Sequence, residues 1–381
     1  MRVLIVGAGL AGLRTAEALR DGGFDGELVL LGEEVHLPYD RPPLSKHVLR
    51  GDRPPVYLRA EGDYADLRLD LRLGTTVTGL DLTDRTVTTA AGPVAFDELV
   101  VATGATPRRL PGAPGQVLRT LDDCLGLAPL LVPGAVIGVV GAGLIGCEVA
   151  ASARTKDVEV HLVDVLPKPL VRVLGDQVAQ RIADLHEGRG VHLHLGTGVA
   201  AATRTRLELT DGTVLDVDVV LEAMGVTPAT GWLEGSGLEL ADGVVCDQVG
   251  QAAEGVWAVG DVARWADGLG GSFRREHWTS ANEQAATVAA AILGERQPVT
   301  TPPYWWSDQY DVKLQGLGEA HSDDDVLMLE VGAKSRPMAL YSRAGRLTAV
   351  VGFSAGAFVF KLKDLIVARA PVADAVALLK D

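Results

Sequence analysis

A glycine-rich motif that occurs twice constrains the fold of this 381-residue chain more than any other feature. GAGLAG (7–12) follows the aliphatic run RVLIV, and GAGLIG (141–146) follows the similar run AVIGVV. Continuous apolar runs of this length predict strands that are buried on both faces, and a segment with helical spacing follows each motif. In such a strand–turn–helix unit the glycines permit a tight turn, a close approach to a pyrophosphate and close helix packing. We therefore predict an α/β chain with two Rossmann-like dinucleotide-binding domains.

An acidic residue follows the second strand of each unit. Glu33 lies 21 residues beyond Gly12, just after the apolar run ELVLL. Asp164 lies 18 residues beyond Gly146, directly after the run VEVHLV. A carboxylate at this spacing binds the ribose hydroxyls of a dinucleotide. Asp164 would also repel a 2′-phosphate, so the second site favours a dinucleotide that lacks one.

The composition limits the partners and the chemistry of the chain. The net charge of −15 disfavours binding to nucleic acid or to an anionic membrane, and no apolar run approaches the ~20 residues of a membrane span. The N-terminal MRVLIVGAGLAG is typical of a strand entering a turn rather than of a signal peptide, so we expect a cytoplasmic protein. Cys124, Cys147 and Cys246 form neither a C-x-x-C pair nor a zinc motif, so we expect buried thiols and no metal site.

Five further segments resemble known flavoproteins. FDELVVATGATP (96–107) and VWAVGDVARW (256–265) are similar to the ATG and GD motifs of flavoproteins with two dinucleotide-binding domains. PYDRPPLSK (38–46), EHW (276–278) and PPYWWSDQYDVKLQGLG (302–318) resemble, more narrowly, the FAD-dependent ferredoxin reductases of bacterial oxygenase systems. The resemblance implies an NADH:ferredoxin oxidoreductase, in which hydride passes from NADH to FAD and single electrons pass to a ferredoxin that serves a P450 or Rieske-type oxygenase.

The same resemblance implies which residues hold each cofactor and where the domains lie. It predicts an FAD-binding domain at 1–106 and 226–300, an NAD(H)-binding domain at 107–225 and a C-terminal α+β domain at 301–381. NADH is favoured over NADPH because of Asp164. The residues implied for FAD are Gly7, Gly9, Gly12, Glu33, Thr103, Gly104 and Asp261, and those implied for NADH are Gly141, Gly143, Gly146 and Asp164.

The proline-rich stretch PYDRPPLSK is predicted to hold two basic residues rigidly. Three prolines stiffen the chain and fix the approach of a short helix that begins near Leu44 and Ser45. Arg41 can then pair with an FAD phosphate, and Lys46 can reach the flavin ring. In the family this lysine has a glutamate partner just after the second glycine motif, which is Glu148 here. "Catalytic" in this prediction means electrostatic stabilisation by Lys46 and Glu148.

The segment that begins with EHW is predicted to present a helix N-terminus to the flavin. Ser280 and Glu283 have the spacing of a capping box, which predicts a helix that starts near residue 280. The positive end of that helix would favour a negatively charged reduced flavin. Trp278 resembles the family tryptophan that stacks near the flavin.

A basic segment near the C-terminus is predicted to dock an acidic ferredoxin. Residues 336–369 contain Asp364 as their single acid, although the chain as a whole is strongly acidic. We expect association to be steered there by charge, with Arg343, Arg346 and Lys361 near the contact. The basic residues of the segment are Arg336, Arg343, Arg346, Lys361, Lys363 and Arg369.

Other activities on the same scaffold stay open at this point. The absence of a C-x-x-C pair disfavours a pyridine nucleotide–disulfide reductase. An NADH oxidase or a monodehydroascorbate-type reductase would use the same motifs. A flavoprotein similar to apoptosis-inducing factor, in which NADH drives partner binding rather than turnover, is the alternative that is not an enzyme.

Overall fold

The computed structural model describes residues 1–112 and 115–380. The chain forms two compact units: unit 1 comprises residues 1–40, 56–106 and 226–300, and unit 2 comprises residues 41–55, 107–225 and 301–381. Residues 41–55 therefore belong to unit 2, although the sequence placed them in the FAD-binding domain. The reason is that Arg41 donates to the carbonyl of Arg119, and Lys46 donates to Glu148. The division into three domains, with 301–381 apart from 107–225, stays a prediction.

Unit 1 is built around a six-stranded sheet with the first glycine motif at its centre. The strand order is β18-β19-β7-β1-β2-β3, and β1 runs parallel to both β2 and β7. The apolar runs of β1 and β2 are buried on both faces, as is typical of parallel strands covered by helices. Its strands and helices are β1 (Arg2–Val6), α1 (Leu10–Asp21), β2 (Glu27–Leu31), β3 (Leu69–Arg72), β4 (Val77–Asp81), β5 (Thr86–Thr89), β6 (Gly92–Ala95), β7 (Glu98–Val101), β8 (Ala105–Pro107), β16 (Val226–Pro228), β17 (Val244–Cys246), β18 (Gln251–Ala253), β19 (Val256–Ala258), β20 (Ala263–Ala266), β21 (Ser272–Phe273) and α6 (Trp278–Ile292).

The part of unit 2 that contains the second glycine motif repeats this arrangement on a smaller scale. Its parallel sheet has the order β11-β10-β9-β15, and a three-stranded sheet, β12-β13-β14, follows β11 in the chain. Helix α5 has a break at Gly175, whose φ is 70°. Its elements are α2 (His47–Arg50), α3 (Leu121–Leu127), β9 (Val136–Val140), α4 (Leu144–Arg154), β10 (Glu159–Asp164), α5 (Val171–Glu187), β11 (Val191–Leu195), β12 (Val199–Ala202), β13 (Arg206–Leu209), β14 (Val214–Asp216) and β15 (Val219–Glu222).

The C-terminal part of unit 2 is an antiparallel sheet followed by three helices. The strand order is β22-β23-β26-β25-β24, and the buried side chains include Leu340, Val350 and Val359. In the sequence, DVKLQGLG, VLMLEV, MALYS and LTAVVGF have strand-like patterns and a helical pattern begins at 355, so four of these strands and the helices after them were predicted, but β22 was not. Its elements are β22 (Tyr304–Gln309), β23 (Val312–Gly318), β24 (Asp325–Val331), β25 (Arg336–Arg343), β26 (Arg346–Phe353), α7 (Gly356–Lys361), α8 (Lys363–Val367) and α9 (Val372–Lys380).

Strand β22 was missed because polar side chains occupy its buried face. Alternate residues Trp305, Ser307 and Gln309 are buried, so the period of two is present in burial but not in hydrophobicity.

None of the helices formed by residues 1–112 and 115–380 is long and apolar enough to cross a membrane.

Candidate active site

The first glycine motif forms a tight turn. At two of its positions, Gly7 and Gly12, only glycine fits, because a Cβ would collide with a backbone carbonyl oxygen. Gly7 has φ of 115°, and a Cβ there would lie 2.2 Å from the carbonyl oxygen of Ala102. A Cβ on Gly12 would lie 2.0 Å from the carbonyl oxygen of Gly7. At Gly9, by contrast, a Cβ would meet nothing within 4 Å. The turn is therefore tight on the protein side and open at Gly9, which fits the close approach of a pyrophosphate.

The second glycine motif has the same geometry in unit 2. Gly141 has φ of 109°, and a Cβ there would lie 2.3 Å from the carbonyl oxygen of Ala223. A Cβ on Gly146 would lie 1.9 Å from the carbonyl oxygen of Gly141, whereas Gly143 again faces open space. We call these two turns the first and the second glycine cradle.

A helix begins directly at each cradle. Helix α1 begins after Gly9 and helix α4 after Gly143, and neither N-cap residue supplies a side-chain hydrogen bond. The first backbone N–H groups of both helices therefore remain available to an anion, and the helix dipole adds positive potential there. Both cradles thus have the donors that a pyrophosphate requires.

The carboxylates after the second strands differ between the two cradles. Asp164 accepts hydrogen bonds from the backbone N–H groups of Ala142 at 2.7 Å and of Leu166 at 2.8 Å, so it ties the end of β10 to the second cradle. Glu33 is exposed just beyond β2, and its neighbour Glu34 accepts from the hydroxyl of Tyr39. Both predicted ribose-binding residues therefore lie at the expected strand ends.

The ATG and GD motifs end two adjacent strands of unit 1. Thr103 donates from Oγ1 to the carbonyl of Ala229 at 2.9 Å, and the Ala229 N–H donates back to Gly104 at 3.0 Å. Asp261 follows Gly260, whose N–H donates to the buried Oε1 of Gln284 at 2.8 Å. Gln284 thus positions the GD turn, and sequence reasoning did not find it.

The capping box predicted for α6 is wrong. The helix begins at Trp278, close to the predicted start near residue 280, but its N-cap is His277, which makes no side-chain cap hydrogen bond. Trp278 donates from Nε1 to Oδ1 of Asp40 at 2.8 Å, which fixes the entry to the helix through the proline-rich stretch. Ser280 is instead a buried residue inside the first turn.

Two buried polar atoms on α6 have no hydrogen-bond partner among the residues that the structure describes. They are Oγ of Ser280 and Nε2 of Gln284, four residues apart and so on one side of the helix. Buried polar atoms without partners are rare because each costs free energy. Their presence in unit 1 fits a polar ligand bound to this part of the chain.

Lys46 and Glu148 form a buried ion pair in unit 2. Nζ of Lys46 lies 2.6 Å from Oε2 of Glu148, and the two residues are only 5% and 3% exposed. Nζ also donates to the carbonyl of Pro42 at 3.1 Å, and Glu148 accepts further hydrogen bonds from Ser45 and Ser307. Removing one partner would leave a buried charge uncompensated, at a cost of about 3–5 kcal/mol.

The local structure that presents Lys46 follows from the prolines. Residues Pro42–Ser45 form a 3₁₀ helix with Pro at its first positions, which is where a missing N–H does no harm. Lys46 is the junction between this turn and α2, with φ of −125° and ψ of −106°. The backbone carbonyl of Ser45 accepts from Ser152 on α4 at 2.7 Å, so the whole turn is held against α4.

One of the N–H donors of the Arg41 guanidinium is hydrogen-bonded within the protein. Its Nη1 donates to the carbonyl of Arg119 at 2.6 Å. A guanidinium has five donors, so this contact leaves others for a phosphate. Binding of an FAD phosphate by Arg41 stays a prediction.

The three cysteines are free and buried, as predicted. Burial raises the pKa of Cys124 to about 11, and burial raises the pKa of Cys147 and of Cys246 further. These thiols therefore stay protonated near neutral pH and are poor nucleophiles. Within residues 1–112 and 115–380 no group of three His, Cys, Asp or Glu side chains is arranged to hold a metal ion.

The basic segment at 336–369 carries less available charge than its sequence indicates. Arg343 donates from Nε and Nη2 to Oδ1 of Asp324 at 3.0 and 2.7 Å, and Asp324 is buried. Asp323 also lies 3.9 Å from Arg343. Arg346 and Lys361 are exposed. The sequence count over residues 336–369 did not include Asp323 and Asp324, which precede β24 in the chain and lie close to Arg343 in the structure.

The chain matches known proteins along almost its whole length. The family profile of pyridine nucleotide-disulphide oxidoreductases matches residues 1–285, and the profile "Reductase C-terminal" matches residues 304–380. The ferredoxin reductase component of a chlorobenzene dioxygenase from Cupriavidus sp. (strain PS12) is 38% identical, over 97% of this chain and 93% of that protein.

Two solved structures of high similarity cover the same length. The crystal structure of Fdr9 has 40% sequence identity and a TM-score of 0.91, and the match covers 99% of this chain and 97% of that one. The covalent putidaredoxin reductase–putidaredoxin complex has 30% identity and a TM-score of 0.93, with 100% and 99% covered. The chain belongs to the pyridine nucleotide-disulphide oxidoreductase family, in the group of ferredoxin reductase components of oxygenase systems.

Proposed function

We propose that this protein is an NADH:ferredoxin oxidoreductase that binds FAD in the first glycine cradle and NADH in the second. The observation that carries the proposal is the presence of two equivalent cradles in a chain whose three cysteines are buried, free and far apart in the sequence. The three cysteines are free and form no disulfide, so the chain itself offers no thiol pair that could receive electrons from the cofactors. The electron acceptor is therefore external, and the relatives of the chain are named for ferredoxin.

FAD supplies the chemistry when bound, because it takes a hydride from NADH and gives up electrons one at a time. The residues of the chain bind the cofactors and stabilise charge. Gly9 and Gly143 let the two pyrophosphates approach, and the N-termini of α1 and α4 supply N–H donors to them. Glu33 and Asp164 bind the adenosine riboses, and the carboxylate of Asp164 selects NADH over NADPH.

Lys46 provides a fixed positive charge for the flavin as negative charge develops there. An ammonium group held in a water-poor site stabilises such charge more strongly than one in solvent. Glu148 reduces the cost of burying Lys46, and the pair is compact and nearly inaccessible. Trp278 and Arg41 are proposed to contact the flavin and an FAD phosphate, respectively.

The acceptor is proposed to be a small acidic iron–sulfur ferredoxin that serves an oxygenase. Arg346 and Lys361 are exposed and can attract it, whereas the charge of Arg343 is largely used by Asp324. We also propose that the protein works in the cytoplasm, a compartment in which free thiols such as its three cysteines stay reduced.

The decisive experiment is anaerobic reduction of a purified ferredoxin by NADH and the purified yellow protein, with FAD counted per chain. We expect one non-covalent FAD and turnover of the ferredoxin within the usual enzymatic range of about 1–10³ s⁻¹. A colourless protein that does not take up FAD would contradict the proposal. In a parallel aerobic assay, faster electron transfer to O₂ than to the ferredoxin would indicate an NADH oxidase instead.

A further inference from the structure

A chain of buried hydrogen bonds leads away from the Lys46–Glu148 pair through unit 2. Ser307 donates from Oγ to Oε1 of Glu148 at 2.7 Å, and Gln309 donates from Nε2 to Oγ of Ser307 at 3.2 Å. Oε1 of Gln309 lies 3.1 Å from Nε2 of His186. The other ring nitrogen of His186, Nδ1, lies 3.0 Å from the hydroxyl of Tyr310.

The direction of each hydrogen bond follows from the chemistry of the groups. Burial lowers the pKa of His186 to about 4, so its ring is neutral near pH 7 and has one donor and one acceptor nitrogen. Burial raises the pKa of Tyr310, so its hydroxyl keeps its proton and donates to Nδ1 of His186. Nε2 of His186 then donates to Gln309. From Tyr310 to Ser307, each group in this series of hydrogen bonds therefore donates to the next one in the direction of the Glu148 carboxylate.

The burial of these polar groups requires an explanation that packing does not supply. Ser307, Gln309 and His186 are each 0% exposed, and two of them lie on the buried face of β22, which packs against α4. Burying a polar group is unfavourable unless it is hydrogen-bonded, and apolar β-branched residues would fill such positions at no polar cost. The polarity of this face is accounted for by the carboxylate at the end of the chain of hydrogen bonds.

We propose that Ser307, Gln309 and His186 are positioning residues that orient Glu148 and, through it, hold Nζ of Lys46 in place. Aligned hydrogen bonds strengthen one another in a low-dielectric interior, so these hydrogen bonds act together on the carboxylate of Glu148. A neutral amide does not readily pass on protons, so the role of Gln309 is orientation rather than proton transfer. The inference rests on the proposed function, because it assumes that Lys46 acts on the flavin.

The test compares Ser307→Ala with Ser342→Ala, a buried serine on β25 that serves as the matched control. We expect Ser307→Ala to shift the equilibrium between oxidised and reduced flavin about tenfold toward the oxidised form. That shift corresponds to a midpoint potential about 30 mV lower for a two-electron couple. We also expect flavin reduction by NADH to slow about tenfold with an unchanged KM for NADH, and Ser342→Ala to change neither quantity.

A double-variant comparison separates positioning from general destabilisation. Ser307→Ala in a Glu148→Gln background should produce no further change in the potential, because the two residues act in series. If Ser307→Ala does not retain FAD, Gln309→Leu is measured by the same criteria. An unchanged potential, an equal shift in Ser342→Ala or additive effects in the double variant would overturn the inference. A wild-type protein that NADH does not reduce would instead overturn the proposed function.

Discussion

The two glycine cradles have nearly the same backbone but different surroundings. A Cβ would collide with a neighbouring carbonyl at 2.2 Å in the first cradle and at 2.3 Å in the second. After the second strand, however, Glu33 is exposed in unit 1, whereas Asp164 is bound to two backbone N–H groups in unit 2. The helix after the second cradle carries Glu148, which pairs with the buried Lys46. We therefore expect the glycines to admit a dinucleotide at each cradle, and the side chains around them to select which dinucleotide binds and which chemistry follows.

Adding one methyl group to each cradle should have the largest effect and should separate the roles of the two glycine motifs. Gly7→Ala is expected to give a colourless protein, because the new Cβ cannot coexist with the carbonyl of Ala102 at φ of 115°. Gly141→Ala is expected to keep its yellow FAD but lose flavin reduction by NADH. Flavin absorbance and anaerobic NADH titration measure both effects.

A glycine outside the cradles serves as the control for both substitutions. A Cβ on Gly79 of β4 would meet Thr88 at an ordinary 3.5 Å, so Gly79→Ala should change neither property. Loss of flavin from Gly141→Ala but not from Gly7→Ala would reverse the assignment of the two cradles.

Lys46 distinguishes binding a cofactor from acting on it. Lys46→Met should keep FAD bound, because the cradle contacts are made by other residues, but slow flavin reduction by NADH about 10²-fold, as expected for the loss of one fixed charge. Stopped-flow absorbance under anaerobic conditions measures the rate. The exposed Lys363 supplies the control, since Lys363→Met should react like wild type. A wild-type rate in Lys46→Met would show that the ion pair has a structural role only.

The free energy of unfolding should depend on acid pH more strongly in unit 2 than in unit 1, because unit 2 contains a buried histidine. Burial lowers the pKa of His186 in unit 2 to about 4, whereas no described histidine of unit 1 is buried. The unfolded chain binds the proton with a pKa near 6.5, so the stabilisation is complete above that pH and is lost as the pH falls toward 4. The free energy of unfolding should fall by up to about 1.4 kcal/mol per pH unit in this window.

The measurement is urea unfolding between pH 7 and 4.5, followed with probes in each unit. His186→Gln should flatten the pH dependence of unit 2 without abolishing it, because the pKa values of His161 and His194 are also lowered by burial. His321→Asn, at an exposed position, should leave the slope as it is in wild type. A slope that is equally steep in the His186 variant would assign the acid sensitivity to other groups.

Asp164 and Glu33 allow the specificity of the cradles to be compared directly. Asp164→Asn keeps a side-chain oxygen for Ala142 but removes the charge that repels a 2′-phosphate, so the preference for NADH over NADPH should fall about tenfold, or ~1.4 kcal/mol. Glu33→Gln should leave that preference unchanged. The ratio of kcat/KM for the two nucleotides measures it. A wild-type preference for NADPH would contradict the role of Asp164.

The sequence predicted the parts of the site that depend on a local pattern. Glycine spacing gave both cradles, and the resemblance gave the pairing of Lys46 with Glu148, which the structure places at 2.6 Å. The sequence did not predict the contact of Ser307 with Glu148. The buried face of its strand carries polar residues, so the alternation of apolar and polar residues that marks a strand is absent there. The sequence likewise missed Gln284, whose contact with Gly260 joins residues 24 positions apart. Contacts between distant polar residues depend on packing that no local spacing records.

The smallest expected effect concerns ferredoxin, which should be recognised away from both cradles. Reversing the charge of Arg343 would leave the buried Asp324 without its partner, so the informative variants are Arg346→Glu and Lys361→Glu at exposed positions. Each should raise the KM for ferredoxin a few-fold and leave NADH-dependent ferricyanide reduction unchanged, because surface charges mainly affect association. The effect should weaken with added salt, since the Debye length falls from about 30 Å at 0.01 M to about 10 Å at 0.1 M. Equal losses with both acceptors, or no loss with ferredoxin, would place the docking surface elsewhere.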